Sequence, residues 1–275
     1  MSRQDLLPRA RSGDAIAQFE LGCAYDFDPP KKRRLAIQWY RRAAEQGHAQ
    51  AQNFLGEAYR DGWSVKKNLK QACKWFRLAA SQGESDAQLS LGYMLFYGQG
   101  VERDLTQALR WYRKSAKSGN AGAQLNIGHM YRCGEGVRQN RATAIRWYQL
   151  AASGGNVAAM HWLGRIYGGQ EQYPKDAYKA FVFLLRAAVQ DDPQSQCSLG
   201  VCYFNGDGAG VNKKIAAYWY RRAAKNGDEW AAYLLGLCYR DGEGVSKNVR
   251  LARHWFQKAA KLKVKQAAKA LAEIR

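Results

Sequence analysis

The chain has 275 residues, 43 Lys and Arg against 23 Asp and Glu, and a formal net charge of +20 at pH 7. Apolar side chains make up 47% of it, which excludes disorder through low hydrophobicity despite that charge. No apolar run approaches the ~18–20 residues of a membrane span, and residues 1–14 contain no apolar core of a secretory signal.

The unusual counts are 27 glycines, 9 tryptophans and 16 tyrosines. An internal repeat accounts for them. Leu-Gly recurs at Leu21-Gly22, Leu55-Gly56, Leu91-Gly92, Leu163-Gly164, Leu199-Gly200 and Leu235-Gly236, with Ile127-Gly128 in the same series. The first step is 34 residues and every later one is 36. Trp39, Trp75, Trp111, Trp147, Phe183, Trp219 and Trp255 follow one another at 36 residues throughout.

In chain order, unit one carries Asp26-Phe27-Asp28-Pro29-Pro30 where later units have a glycine turn. Unit two runs from Ala51 and Leu55-Gly56 through Tyr59 and Gly62 to Trp75-Phe76 and Gly83. Unit three gives the fullest pattern. Ala87, Leu91 and Leu95 form one block at helical spacing, and Leu105, Ala108, Trp111, Tyr112 and Ala116 form another. Gly98-Gln99-Gly100-Val101 lies between them as a tight turn, and Gly119 follows the second block as a left-handed helix cap. Unit four repeats this. Unit five departs, with Gly168 to Pro174 in the turn and Phe183 for tryptophan, and unit six inserts Gly210. Unit seven is regular, and residues 261–275 read as a basic capping helix.

A glycine inside a helix costs about 1 kcal/mol against alanine, so the marker glycines predict that another backbone approaches closely there. The Trp-Tyr pairs read as core filler. One helix pair cannot bury its apolar face alone, so the pairs must stack. The pattern of Leu91-Gly92, Gly98-x-Gly100-Val101 and Ala108-x-x-Trp111-Tyr112 resembles the Sel-1-like repeat family, relatives of the tetratricopeptide repeats. The expected fold is therefore all-α: a right-handed α/α solenoid of seven 36-residue helix–turn–helix repeats over 1–260, with a C-terminal cap over 261–275. The resemblance also implies that first helices line a concave face that holds a peptide. Many members of the family are bacterial.

No phosphate loop, His-Glu-x-x-His, Cys-x-x-Cys or nucleophile elbow is present, so neither an enzyme nor a metal or other cofactor is expected. Secreted members of the family resembled here can carry paired cysteines that staple each unit. Cys23, Cys73, Cys133, Cys197, Cys202 and Cys238 have scattered registers, which predicts reduced thiols and a cytoplasmic chain.

A binding face is sought at positions whose residue type varies between units. On the first helices these hold Phe19 in unit one and Arg60 in unit two, then Tyr93 and Phe96, His129 and Arg132, His161 and Arg165. Phe204 follows in unit six, and Trp230, Tyr233 and Arg240 in unit seven. Aromatics anchor interfaces and arginine forks grip carboxylates, so the expected partner is a protein segment or helix, with acidic ones among the candidates. The excess charge predicts a separate basic edge at Lys66, Lys67, Arg103, Arg138, Lys213, Lys214 and Lys247. That edge could attract nucleic acid or another polyanion, or could be a solvated face. The leading expectation is a non-catalytic scaffold or adaptor, favoured as a monomer.

Overall fold

The computed structural model describes residues 2–26, 33–169 and 174–274. Residues 27–32 and 170–173, where the sequence departs from the glycine-turn pattern, lie with Met1 and Arg275 outside the described residues. Sixteen helices and no strand occur among those described. Helix α1 (Arg3–Arg11) precedes seven pairs. The first helices of the pairs are α2 (Ala15–Asp26), α4 (Ala49–Asp61), α6 (Ser85–Tyr97), α8 (Ala121–Cys133), α10 (Val157–Tyr167), α12 (Pro193–Asn205) and α14 (Glu229–Asp241). Their partners are α3 (Arg33–Glu45), α5 (Leu69–Ser81), α7 (Leu105–Lys117), α9 (Arg141–Ser153), α11 (Ala177–Ala188), α13 (Lys213–Lys225) and α15 (Val249–Lys261). Helix α16 (Lys265–Glu273) ends the chain. The fold is an all-α solenoid of seven helix–turn–helix repeats.

The chain divides into two compact units, 1–154 and 155–275. Within each, a first helix packs on its own second helix, and that second helix packs on the next first helix. The final helix starts at Lys265 rather than Lys261, because α15 itself runs through Lys261. The N-terminal helix stands in the register of a second helix: Leu6, Ala10 and Gly13 precede Gly22 as Tyr40, Ala44 and Gly47 precede Gly56. Its start is set by a capping box, Ser2 with Asp5, and it buries Leu6 and Ala10 against Ala17 and Leu21.

The marker glycines face a ring rather than a backbone. A methyl group placed on Gly22, Gly56, Gly92, Gly128, Gly200 or Gly236 would lie 2.5–2.7 Å from the ring of Tyr40, Phe76, Tyr112, Tyr148, Tyr220 or Phe256. The backbone approach occurs eight residues later. A Cβ on Gly100, Gly208 or Gly244 would overlap the main chain of Leu69, Ala177 or Lys213, which opens the preceding second helix. Those glycines also have positive φ, so the turn needs glycine twice over, for its dihedral and for its space. The residue after each tryptophan is the buried one. Tyr40, Phe76, Tyr112, Tyr148, Tyr220 and Phe256 are buried, whereas five of the six repeat tryptophans are only half-buried; Trp219 alone joins the core.

Two ladders of hydrogen bonds recur along the repeats, and the second of them ties neighbours together. Asn68, Asp104, Asn140, Asp176, Asn212 and Asn248 each cap a second helix, accepting at 2.8–3.1 Å from the backbone N–H three residues on. Inside, buried Gln18, Gln52, Gln88, Gln124 and Gln196 each donate to a backbone carbonyl eight residues back. Gln46, Gln82 and Asn226 then donate to the side-chain oxygens of Gln18, Gln52 and Gln196 at 2.8–3.2 Å. Ser118 and Gly154 hold the corresponding positions beside Gln88 and Gln124. The amide oxygens of those two glutamines accordingly have no hydrogen-bond partner among the described residues.

Candidate functional site

In the first unit, Leu89, Tyr93 and Tyr97 succeed one another at four-residue spacing and share one face of α6. Tyr93 is 41% and Tyr97 57% exposed, with ring centroids 4.5 Å apart, and Phe96 meets Tyr97 edge-on at 4.8 Å. This much aromatic surface left uncovered distinguishes the face from the packed rings behind it. Two clefts flank it. Arg60, Leu89, Tyr93 and Asn126 help to line one of about 590 Å³, and Phe96, Tyr97, His129 and Arg132 help to line one of about 330 Å³. Half-buried Glu57 accepts from Asn53 at 3.3 Å, and burial raises its carboxyl pKa above the ordinary range although Arg60 opposes the shift.

Elsewhere in that unit, Phe19 is half-buried and stacks on His48 at 4.6 Å, within a cluster that includes Tyr40 and Phe54. His129 Nδ1 pairs with the Tyr148 hydroxyl at 2.9 Å. The arginine forks are less available than expected from sequence. Arg60 binds Asp61 through two bonds of 2.9 and 2.8 Å, and in the second unit Arg240 binds Asp241 through two of 2.8 Å. Each arginine is therefore already matched by the adjacent carboxylate, which an incoming acid would have to displace.

In the second unit, Trp230 is 42% exposed and lies 5.2 Å from Tyr233, itself 5.7 Å from the buried Phe256 ring. Arg165 lies over Trp162 at 4.7 Å, and Phe204 is half-buried with the Lys213 ammonium 5.0 Å above it. His161 departs from the expected surface role. It is only 7% exposed and its Nδ1 pairs with Ser195 at 2.9 Å, while desolvation lowers its pKa despite the Asp192 carboxylate 3.5 Å away. This histidine joins α10 to α12 instead of presenting itself to a partner.

The basic edge is exposed at all seven expected residues, Lys66, Lys67, Arg103, Arg138, Lys213, Lys214 and Lys247. Two of them are engaged within the chain: Lys213 pairs with Glu243 at 2.6 Å, and Arg103 donates to the Phe96 carbonyl at 3.0 Å. The cations after the tryptophans have a packing role that spacing did not reveal. Arg42, Lys114, Arg222 and Lys258 lie over Trp39, Trp111, Trp219 and Trp255 at 4.0–5.5 Å. Arg41, Arg113 and Arg221 donate to Tyr59, Tyr131 and Tyr239 of the following repeat at 2.7–3.1 Å. The Trp-x-Arg and Trp-x-x-cation spacings, each recurring after four of the six repeat tryptophans, were the available signal.

All six cysteines are free thiols, and Cys73, Cys197, Cys202 and Cys238 are buried. No helix among the described residues is long and apolar enough to cross a membrane.

Stacked helix pairs with an uncovered aromatic face define a helical-repeat scaffold. The Sel1 repeat model matches residues 15–48, 49–84, 85–120, 121–156, 157–192, 193–228 and 231–264, and the chain belongs to that family. Sel1 repeat proteins are generally non-catalytic scaffolds for protein–protein interaction. A similar solved structure is a protective antigen present in uropathogenic Escherichia coli strains displaying an SLR fold. It has a TM-score of 0.89 at 29% identity, covering 99% of this chain and 59% of that one, so the present chain spans little more than half of its length. A Sel1 repeat protein from Oxalobacter formigenes aligns with a TM-score of 0.76 at 31% identity, covering 90% of this chain and 96% of that one. An immunity protein from Pseudomonas aeruginosa, with a TM-score of 0.51 at 20% identity over 77% of this chain and 81% of that one, shares the fold. No protein with a curated description matches the sequence.

Proposed function

We propose that this chain is a non-catalytic adaptor whose first-helix faces hold a segment of a partner protein. The observation that carries the reading is the uncovered Tyr93–Tyr97 pair between two clefts on the first unit. Aromatics of this kind supply large contact area at little conformational cost, and they dominate binding when a partner desolvates them. His129 and Arg132 border the same surface, and Trp230 and Tyr233 offer a comparable pair on the second unit. Partner capture from extract, followed by mass spectrometry, identifies the ligand. Purified Tyr93→Ala/Tyr97→Ala protein, folded by circular dichroism, is then expected to bind that ligand at least tenfold more weakly, or about 1.4 kcal/mol. Unchanged affinity in this variant and in Arg132→Ala/Tyr233→Ala would refute the reading.

The exposed edge supports a second reading, binding of a polyanion. Lys66, Lys67, Arg138, Lys214 and Lys247 make no ion pair among the described residues, unlike Lys213. A labelled RNA oligomer would then bind with an affinity that falls steeply with salt. Absence of any complex at low salt would remove this reading.

A further inference from the structure

Repeat two differs from the others on its first-helix face. Asn53 and Glu57 stand three residues before and one residue after its marker glycine, and no other repeat has a carboxylate at the second of these positions. Asn53 is 6% exposed; its amide donates to Glu57 at 3.3 Å, and its oxygen is buried with no hydrogen-bond partner among the described residues. Glu57 is half-buried, and that neutral amide is its one hydrogen-bond partner among the described residues. Arg60, the cation of the same helix, forks onto Asp61, while Asp61 and the exposed Asp86 both oppose the ionisation of Glu57. A buried amide oxygen without a donor and a half-buried carboxylate without a matched cation are both costly. Both are acceptors, so the group that relieves them is a donor carrying positive charge.

The charge of the surrounding helices agrees. Helices α2, α4 and α6 carry five carboxylates and one cation, whereas their partners α3, α5 and α7 carry eleven cations and one carboxylate. The first helices here are thus acidic within a chain of net charge +20. Glu57 stands one helical turn before Arg60 and Asp61, which line the cleft of about 590 Å³ together with Leu89 and the exposed Tyr93 ring. We propose that this cleft receives an arginine side chain from a basic segment of the partner, its guanidinium on Glu57 and against the Tyr93 ring. A guanidinium is planar and weakly hydrated, stacks on aromatic faces and forks onto a carboxylate. Its five N–H donors leave one for the Asn53 oxygen. Leu89 offers apolar surface to the stem of the side chain. An acidic segment would meet like charge at this place, so complementarity favours a basic one.

The inference rests on the first-helix face being the partner face, and a small probe tests the cleft by itself. The intact protein, labelled with nitrogen-15, is titrated at low salt with N-acetylargininamide and with its neutral isostere N-acetylcitrullinamide. Saturable shifts of the Asn53 side-chain amide and the Tyr93 backbone amide are expected, with about tenfold weaker affinity for the citrulline probe. Glu57→Gln keeps an acceptor for Asn53 and removes the charge, and should weaken the arginine probe about tenfold. Tyr93→Ala, at an exposed position, should weaken it about threefold, whether or not the first variant folds. Glu20→Gln removes a carboxylate of α2 outside the cleft and should leave the affinity unchanged. Absence of saturation, equal affinity for the citrulline probe, or an equal loss in Glu57→Gln and Glu20→Gln would overturn the site. Probe binding lost in Glu57→Gln, with normal partner capture by Tyr93→Ala/Tyr97→Ala and Arg132→Ala/Tyr233→Ala, would leave the arginine site and remove the proposed function. Partner capture lost in those face variants, with no probe binding, would remove the arginine site alone.

Discussion

Gln88 illustrates how much one residue outside the repeat motif decides. Its side-chain oxygen is buried without a partner among the described residues because Ser118 stands where repeats one and two place Gln46 and Gln82. Both Gln82 and Ser118 are caps of second helices with nearly the same backbone angles, so the longer side chain fits the same site. Ser118→Gln is expected to stabilise the chain by about 1 kcal/mol, the typical net worth of a hydrogen bond to a group otherwise left unsatisfied. Urea denaturation checks it. His161 gives a pH-dependent counterpart. Burial lowers its pKa below the ordinary histidine value, so between about pH 6.5 and the lower folded-state value the unfolded chain binds more protons. Its contribution is therefore complete at neutral pH and is lost as pH falls through that window. The stability difference between the parent and His161→Gln should shrink from pH 7 to pH 5, as measured by denaturation at each pH.

At the scale of the element, the glycine registers are unequal. Gly83 has positive φ but nothing within 4 Å of where a Cβ would stand, whereas Gly100 has positive φ and the Leu69 main chain in its way. Gly83→Ala should cost only the left-handed backbone penalty, about 1–2 kcal/mol. Gly100→Ala should cost about 1–3 kcal/mol more, because the start of α5 must move. Equal melting temperatures for the two variants would contradict this account of the turn. Ser64 occupies the Gly100 register in repeat two with φ of +54°, and Asp191 takes the cap register with φ of +64°. Asp191 offsets its strain by accepting from Arg222 and Gln196 at 2.9–3.2 Å. Ser64 makes no comparable contact among the described residues, and Ser64→Gly should therefore stabilise by about 1 kcal/mol.

At the scale of the molecule, helix pairs that touch only their neighbours make stability nearly one-dimensional. Helix α16 covers the last pair, burying Val264, Ala267 and Ala270 in one cluster with Phe256 and Ala259. Truncation after Lys261 should lower hydrogen-exchange protection in α15 and α14 first and leave α4 to α8 unchanged. Uniform loss across both units would show longer-range cooperativity than the contacts imply.

The fold class and the repeat number were legible in the sequence, since a 36-residue period of Leu-Gly and Trp fixes two helices per unit and leaves only stacking to bury their faces. Helix α1 was not, because Asp5 and Leu6 stand where Trp39 and Tyr40 stand in the next unit, although Gly13 keeps the cap register. The marker glycines were recognised as close approaches, but only the packing identified the ring of the following helix as what approaches. The candidate face was legible as a set of positions and not as a surface. Spacing places Arg60, Arg240 and His161 beside Tyr93 and Trp230, yet the tertiary structure gives the two arginines to Asp61 and Asp241 and buries the histidine against Ser195. The repeated residues were decided locally, by helix period and turn dihedral. Among the variable ones, the two arginines turn onto the adjacent carboxylate, a pair the Arg-Asp dipeptide already offered, whereas His161 meets Ser195, a contact between repeats that no local pattern records.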